Sequence, residues 1–286
     1  MADVPFGMGI ERVDNEPRPA VAADLSVGAL VGPAPNADAQ YFPLNTPVLI
    51  FSDNEEARTA LGEGALLDEL LLMDAQLGEF QVAARVVILV TEEGADDAET
   101  MTNIVDNLEK LQDAGPMLGV IPRLVAVPGY THQQEDDEGT LLANPVCAAL
   151  PPVLNAMLAH AVVSGPHSTL QAYTDWRETL SSDRLIPIET WVQVGPPAED
   201  IDSVGAAIGV GIRRDFEKSG RPFHSWANQP IYGIVGPSRP LNFSLTDAST
   251  EAQQILDKNG GVILRGEAGV ETAIASGGFM LVATDT

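Results

Sequence analysis

Pro122-Arg123-Leu124-Val125-Ala126-Val127-Pro128-Gly129 is a short apolar run bracketed by prolines and closed by a Pro-Gly pair that no helix carries through. Its apolar residues are continuous rather than alternating, which predicts a strand covered on both faces. An amphipathic pattern precedes it, Ala98 to Ala114, and an Ala/Leu-rich helical pattern follows, about Leu141 to Leu158. A buried strand between two helices is the middle of an α/β layer structure.

Working outward, Leu25 to Gly32 and Val48 to Phe51 read as strands. Ser52 or Asp53 is placed to cap a helix over 54–61, with Glu55 and Glu56 in its first turn where the helix dipole favours anions. Ala65 to Leu77 carries a Leu/Met stripe and is stopped by Gly78, and Val82 to Val90 is dense in β-branched residues and predicts a strand. Beyond the opening stretch come an acidic surface loop (Glu135-Asp-Asp-Glu138), a short strand at 161–163, a helix over 169–180 and an interrupted strand over 185–194. A long helix over 201–217, strands at 229–235 and 262–264, and a helix over 248–258 complete the pattern. The expectation is a mostly parallel or mixed sheet with flanking helices. Residues 1–24 stand apart: Gly7, Gly9, Pro17 and Pro19 punctuate a segment with little apolar mass, in which only 8–13 suits a strand. Such a segment is a loose terminus or an arm that pairs with another molecule.

The 286 residues are enough for one large domain or two smaller ones, and the apolar fraction of 45% suits a packed core. The net charge of −26 argues against nucleic acid or anionic membrane as a direct partner. Lysine is scarce (Lys110, Lys218, Lys258) beside many acids, which points to a protein suited to high salt, where self-repulsion is screened. No apolar run is long enough to insert in a membrane, and the first residues lack a signal peptide's basic and apolar regions. The single Cys147 rules out an intrachain disulfide and reads as a small buried helix residue.

Chemistry is sparse. Gly205, Gly209 and Gly211 lie within a helical pattern, where they suit close helix packing better than a nucleotide loop. There is no phosphate loop or nucleophile elbow, and His132, His160, His167 and His224 lack metal-ligand spacing. The acidic run 135–138 lacks the alternating ligands and central glycine of a calcium loop. No catalytic, cofactor or metal residue is assigned. The rival reading is a doubly wound nucleotide-binding enzyme or module, whose ligand would sit at the carboxyl ends of the strands, beside Gly129-Tyr130-Thr131-His132 and Gly165-Pro166-His167.

Four blocks in order resemble the tail sheath subunits of contractile phage tails and of R-type pyocins. They are Gly9-Ile10-Glu11-Arg12-Val13 with Arg18-Pro19, Phe42 to Ile50, the opening stretch with Tyr173 to Arg177 and Ser182-Asp183-Arg184, and Ile231 to Gly236 with Phe243 to Asp247 and the 251–259 helix. The resemblance implies a non-enzymatic structural protein that polymerises as hexameric rings or a helical sheath. It would surround an inner tail tube, with baseplate and tail terminator proteins at its ends. It would then contract to drive the tube through the host envelope, in a virion tail or tail-like particle assembled in the host cytoplasm. It implies no cofactor, and it makes Gly9, Ile10, Glu11, Arg12 and Val13 a strand donated to a neighbouring subunit. The division it implies is an arm (1–24), an N-terminal part of the body (25–115) and an α/β core (116–286). Family members continue past the position of Thr286, so a truncated chain or a second polypeptide is expected to account for the remainder.

Overall fold

The computed structural model describes residues 27–80, 82–137, 140–220, 224–244, 246–265 and 279–282. Arm residues Gly9 to Val13 lie outside the described residues.

The opening stretch forms β4 (Leu124–Ala126), buried throughout, at the middle of a six-stranded sheet. Its neighbours are β1 (Val27–Pro33) and β7 (His160–Ser164), both parallel to it. β3 (Arg85–Thr91) lies beyond β1 and β8 (Leu185–Ile188) beyond β7, also parallel. β2 (Pro47–Phe51) closes one edge antiparallel to β3. The order is β2-β3-β1-β4-β7-β8, so the fold is mixed α/β as the alternation of patterns predicts.

Alternate residues of each strand feed two cores. Ala29, Val31, Val125 and Val163 face α3 (Asp97–Asn107), α5 (Pro145–Met157), α6 (Leu170–Thr179) and α8 (Glu251–Asp257). Leu30, Val86, Leu124 and Val162 face α2 (Ala65–Ala75) and α7 (Val204–Glu217). Covering both faces is why the central strands read as unbroken apolar runs.

The glycines of α7 do what close packing requires. A Cβ on Gly205 would lie 2.3 Å from the Glu69 carbonyl oxygen, and one on Gly209 2.7 Å from that of Met73. The α2 and α7 backbones therefore touch where a side chain would hold them apart.

Several boundaries depart from the sequence expectation. Asn54, not Ser52 or Asp53, caps α1 (Glu55–Leu61), its side chain accepting from the N–H groups of Glu56 and Ala57. Ser52 is buried and bonds Asp74 instead. The 98–114 pattern is broken: after α3 the chain tightens into a 3-10 segment, Leu108–Asp113, before α4 (Ala114–Leu118). Pro116, in the first turn of α4, has no N–H to return to Gln112, which removes one helical bond where the 3-10 segment joins α4. The stripe Met101, Ile104, Leu108, Leu111 still stays buried. The acidic loop contains a small hairpin, β5 (Glu135–Asp137) with β6 (Thr140–Leu142), and α5 starts later than the pattern suggests, at Pro145, capped by Asn144.

The interrupted strand 185–194 is two strands in different sheets. β8 ends at Ile188, and β9 (Val192–Val194) pairs with β10 (Glu199–Ile201) and β12 (Gly236–Pro237). The 229–235 strand likewise reduces to β11 (Gln229–Ile231), in a third sheet with β13 (Val262–Arg265) and β14 (Phe279–Val282).

Candidate functional site

In an open parallel sheet the place for a ligand is the carboxyl end of the strands. Here β4, β7 and β8 deliver Gly129 to His132, Ser164 to His167, and Glu189 to Trp191 to one rim. The α7 start adds Asp202 and Ser203. These include the loops singled out for the enzyme reading, and the structure brings them together.

Thr131 is the hub. Its hydroxyl accepts from the Ser164 N–H at 2.9 Å and donates to the Ser164 carbonyl at 3.2 Å, continuing the β4–β7 pairing after the ladder ends. Its carbonyl accepts from the indole N–H of Trp176 at 2.9 Å and from the Cys147 thiol at 3.4 Å. Burial pushes that thiol up to about 12, which makes Cys147 the inert core residue expected of it.

Asp202 locks the loop after β4 to the start of α7. One carboxylate oxygen accepts from the Gly129 N–H at 3.1 Å, the other from the Ser203 N–H at 2.7 Å. Burial raises its carboxyl above the ordinary value, while these donors and Ser164 pull it back. Nearby, Glu69 of α2 accepts from the Gly205 N–H, and burial followed by the proximity of Asp202 holds it well above the usual carboxylate range.

Trp191 fills the remaining space. Its indole N–H donates to the Ser164 hydroxyl at 2.7 Å, the His167 ring stacks on it at 5.2 Å, and the His132 ring meets it edge-on at 5.3 Å. Burial lowers both histidines, with Arg239 adding to the effect at His167, so both rings are neutral near pH 7. His167 Nε2 lies 3.1 Å from the Ser238 hydroxyl, the spacing of a base and a nucleophile. Its buried Nδ1 has no hydrogen-bond partner among the described residues, so no acid orients the ring as a hydrolytic triad requires. Glu189, fully buried, accepts from the backbone N–H groups of His167 and Ser168 and from Arg239 at 3.0 Å. Arg239 also binds Glu251, fastening α8 to this rim.

The rim is thus occupied by its own side chains, which brace the surrounding helices and the second sheet. His160 lies half-buried at the other end of β7, away from His167, and among the described residues no three of His, Cys, Asp and Glu converge to hold a metal ion. Sequence reasoning placed His132 and His167 but missed Asp202, Glu189 and Arg239. An acid directly after an apolar strand, as in Ile188-Glu189, was the available signal.

No family model matches the chain. The chain is 26% identical over 275 residues to the major tail sheath protein of a prophage in Pseudomonas aeruginosa (strain UCBPP-PA14), covering 91% of this chain and 66% of that one. It is 24% identical to the tail sheath protein of Escherichia phage P2, covering 98% and 68%. The chain therefore spans about two thirds of the length of these relatives. Among solved structures it resembles the contracted helical sheath of the anti-feeding prophage, with a TM-score of 0.53 at 16% identity, over 100% of this chain and 69% of that one. It also resembles the contracted PVC sheath complex of an extracellular contractile injection system, with a TM-score of 0.58 at 13% identity, over 100% and 68%.

Proposed function

Since the chain is a homologue of the sheath proteins of contractile phage tails, we propose that it is a structural sheath subunit. It polymerises around an inner tail tube and contracts to drive that tube through a cell envelope. The observation that carries this reading is sequence kinship with tail sheath proteins across nearly the whole chain. The rim described above favours it over the enzyme reading, because Asp202, Trp191 and Glu189 occupy the crevice a nucleotide would need. A sheath subunit needs no turnover, since contraction is a change between two packings of the same bodies.

Under this proposal residues 1–24 act as an arm, with Gly9, Ile10, Glu11, Arg12 and Val13 adding a strand to a neighbouring subunit. Main-chain hydrogen bonds of that kind hold while the bodies rotate, which suits an apolar-poor segment on a Pro/Gly hinge. The partners are copies of the chain, a tube protein, and baseplate and terminator proteins.

Negative-stain imaging of the purified chain tests the assembly directly: striated tubes or six-membered rings are expected. Deleting residues 2–20 is expected to leave the thermal midpoint within a few degrees of wild type and to abolish polymers. Uniformly small particles that melt at a higher temperature with nucleotide would instead support the enzyme. Polymer undiminished by the deletion would remove the arm from the scheme.

A further inference from the structure

Glu69 is an acid where the helix period calls for an apolar residue. With Leu66, Leu70 and Met73 it makes the buried stripe of α2, and it is itself fully buried. The seam between α2 and α7 is at its tightest here: a Cβ on Gly205 would lie 2.3 Å from the Glu69 carbonyl oxygen and 2.6 Å from its Oε2. Oε2 accepts from the Gly205 N–H in the first turn of α7, where the Ser203 side chain makes no capping bond. Glu69 therefore caps α7 from the neighbouring helix. Its other oxygen, Oε1, is buried as well and has no hydrogen-bond partner among the described residues.

An ionised carboxyl would leave that second oxygen charged, buried and without a donor, the costliest way to bury a polar group. A neutral acid keeps the Gly205 bond through its carbonyl oxygen and leaves over only a hydroxyl. The surrounding charges give the ionised form no help. The main elements packed on α2 are α7, β1, β10 and α1. β1 has no charged residue, and α7 has none before Arg213, about two turns beyond Gly205. From α1, Arg58 is paired with Asp74, further along α2. β10 brings Glu199 and Asp200, and α2 itself brings Asp68, all acids. Asp202, just before α7, is an acid whose oxygens are answered by the Gly129 and Ser203 N–H groups, with His132 bearing on it. Of the buried acids Glu69 and Asp202, Glu69 is the one left short of donors. Asp202 and then Asp68 add to burial in opposing a charge on Glu69, against the one pull of the Gly205 donor.

We propose that the α2–α7 seam is a proton-operated latch: Glu69 holds a proton as a neutral acid while the helices are closed, and loss of that proton loosens α2 from the start of α7. The proton is a ligand of the folded chain alone, because in the unfolded chain Glu69 is an ordinary carboxyl, ionised at neutral pH. The stability it supplies is complete at low pH and is lost as pH rises from the unfolded chain's value to the higher value of the folded one. Asp202 ties the same end of α7 to the loop after β4, so the latch also bears on the carboxyl rim. It belongs to a single copy and does not rest on the assembly proposed above.

The test compares the full chain with Glu69→Gln, the near-isostere of the neutral acid, whose amide oxygen can still accept from Gly205. In denaturant melts between about pH 5.5 and 7, the wild-type unfolding constant is expected to rise roughly tenfold per pH unit relative to the variant, the signature of one proton bound only by the folded state. Parallel pH profiles would overturn the proposal, since they would mean that Glu69 is ionised in both states. If the Gln variant does not fold, Glu69→Met, also neutral and of similar length, gives the same comparison. Infrared spectra of the folded proteins at about pH 7 should show a protonated-carboxyl band in wild type that is missing from either variant, and identical spectra would overturn the assignment. Hydrogen exchange locates the loosening. As pH rises past neutrality, amides of α2 and of the first turn of α7 should lose protection in wild type and keep it in the variant, and equal loss in both would remove the latch.

Discussion

Glu189 shows how burial and charge set a single residue against its surroundings. Its carboxyl is held at about 7 against an ordinary 4.5, chiefly by burial, with Arg239 and two backbone donors opposing. A carboxyl that binds its proton more tightly when folded contributes stability that is complete below 4.5 and is lost as pH rises through 7. His132 and His167 lean the other way: burial lowers both, so their contribution is lost as pH falls below the ordinary 6.5. Between about pH 8 and 6.5 the histidines oppose Glu189, so the comparison that isolates Glu189 is with a variant that keeps both of them. Acidification over that window is expected to stabilise the wild type by about 1 kcal/mol more than the Glu189→Gln variant, measured by denaturant melts at both pH values. Equal slopes in the two proteins would show that Glu189 does not carry the effect. Beyond an acid placed directly after an apolar strand, little of this was legible in the sequence, where Glu189 is one of 41 acids; its burial, and Arg239 arriving from fifty residues away, are tertiary.

Among elements, the pairing of α2 with α7 was legible in outline. Glycines at 205, 209 and 211 inside a helical pattern announce a close neighbour, which is α2 at Gly205 and Gly209 and the Trp226 ring at Gly211. Gly209→Ala places a methyl group 2.7 Å from both the Gln76 Cγ and the Met73 carbonyl oxygen, and the latter is backbone that cannot swing aside. It is expected to cost about 1–3 kcal/mol in a denaturant melt, despite alanine's better helix propensity. A neutral or stabilising result would mean that the two helices part without cost. Helix faces were also readable, since Met101, Ile104, Leu108 and Leu111 stay buried across a change from α to 3-10 geometry. Helix continuity was not. The same limit applies at 185–194, where periodicity marks extended chain but cannot say that β8 and β9 belong to different sheets.

For the whole molecule, charge governs behaviour in solution. Forty-one acids against fifteen bases repel one another in the compact state, and salt shortens the range of that repulsion. The thermal midpoint is expected to rise by several degrees between about 0.1 M and about 2 M potassium chloride, tracked by circular dichroism. A midpoint that falls over that range would count against a protein suited to high salt.

The alternation of apolar strands with amphipathic helices, the double burial of 122–129 and the close packing of the α7 glycines were properties of the sequence alone, because each is local and written in a period of two or of about 3.6 residues. The strand order and the filling of the carboxyl rim by Asp202, Glu189 and Trp191 were decided only in three dimensions. They join residues far apart in the chain, and no local pattern records which distant side chains will share a rim.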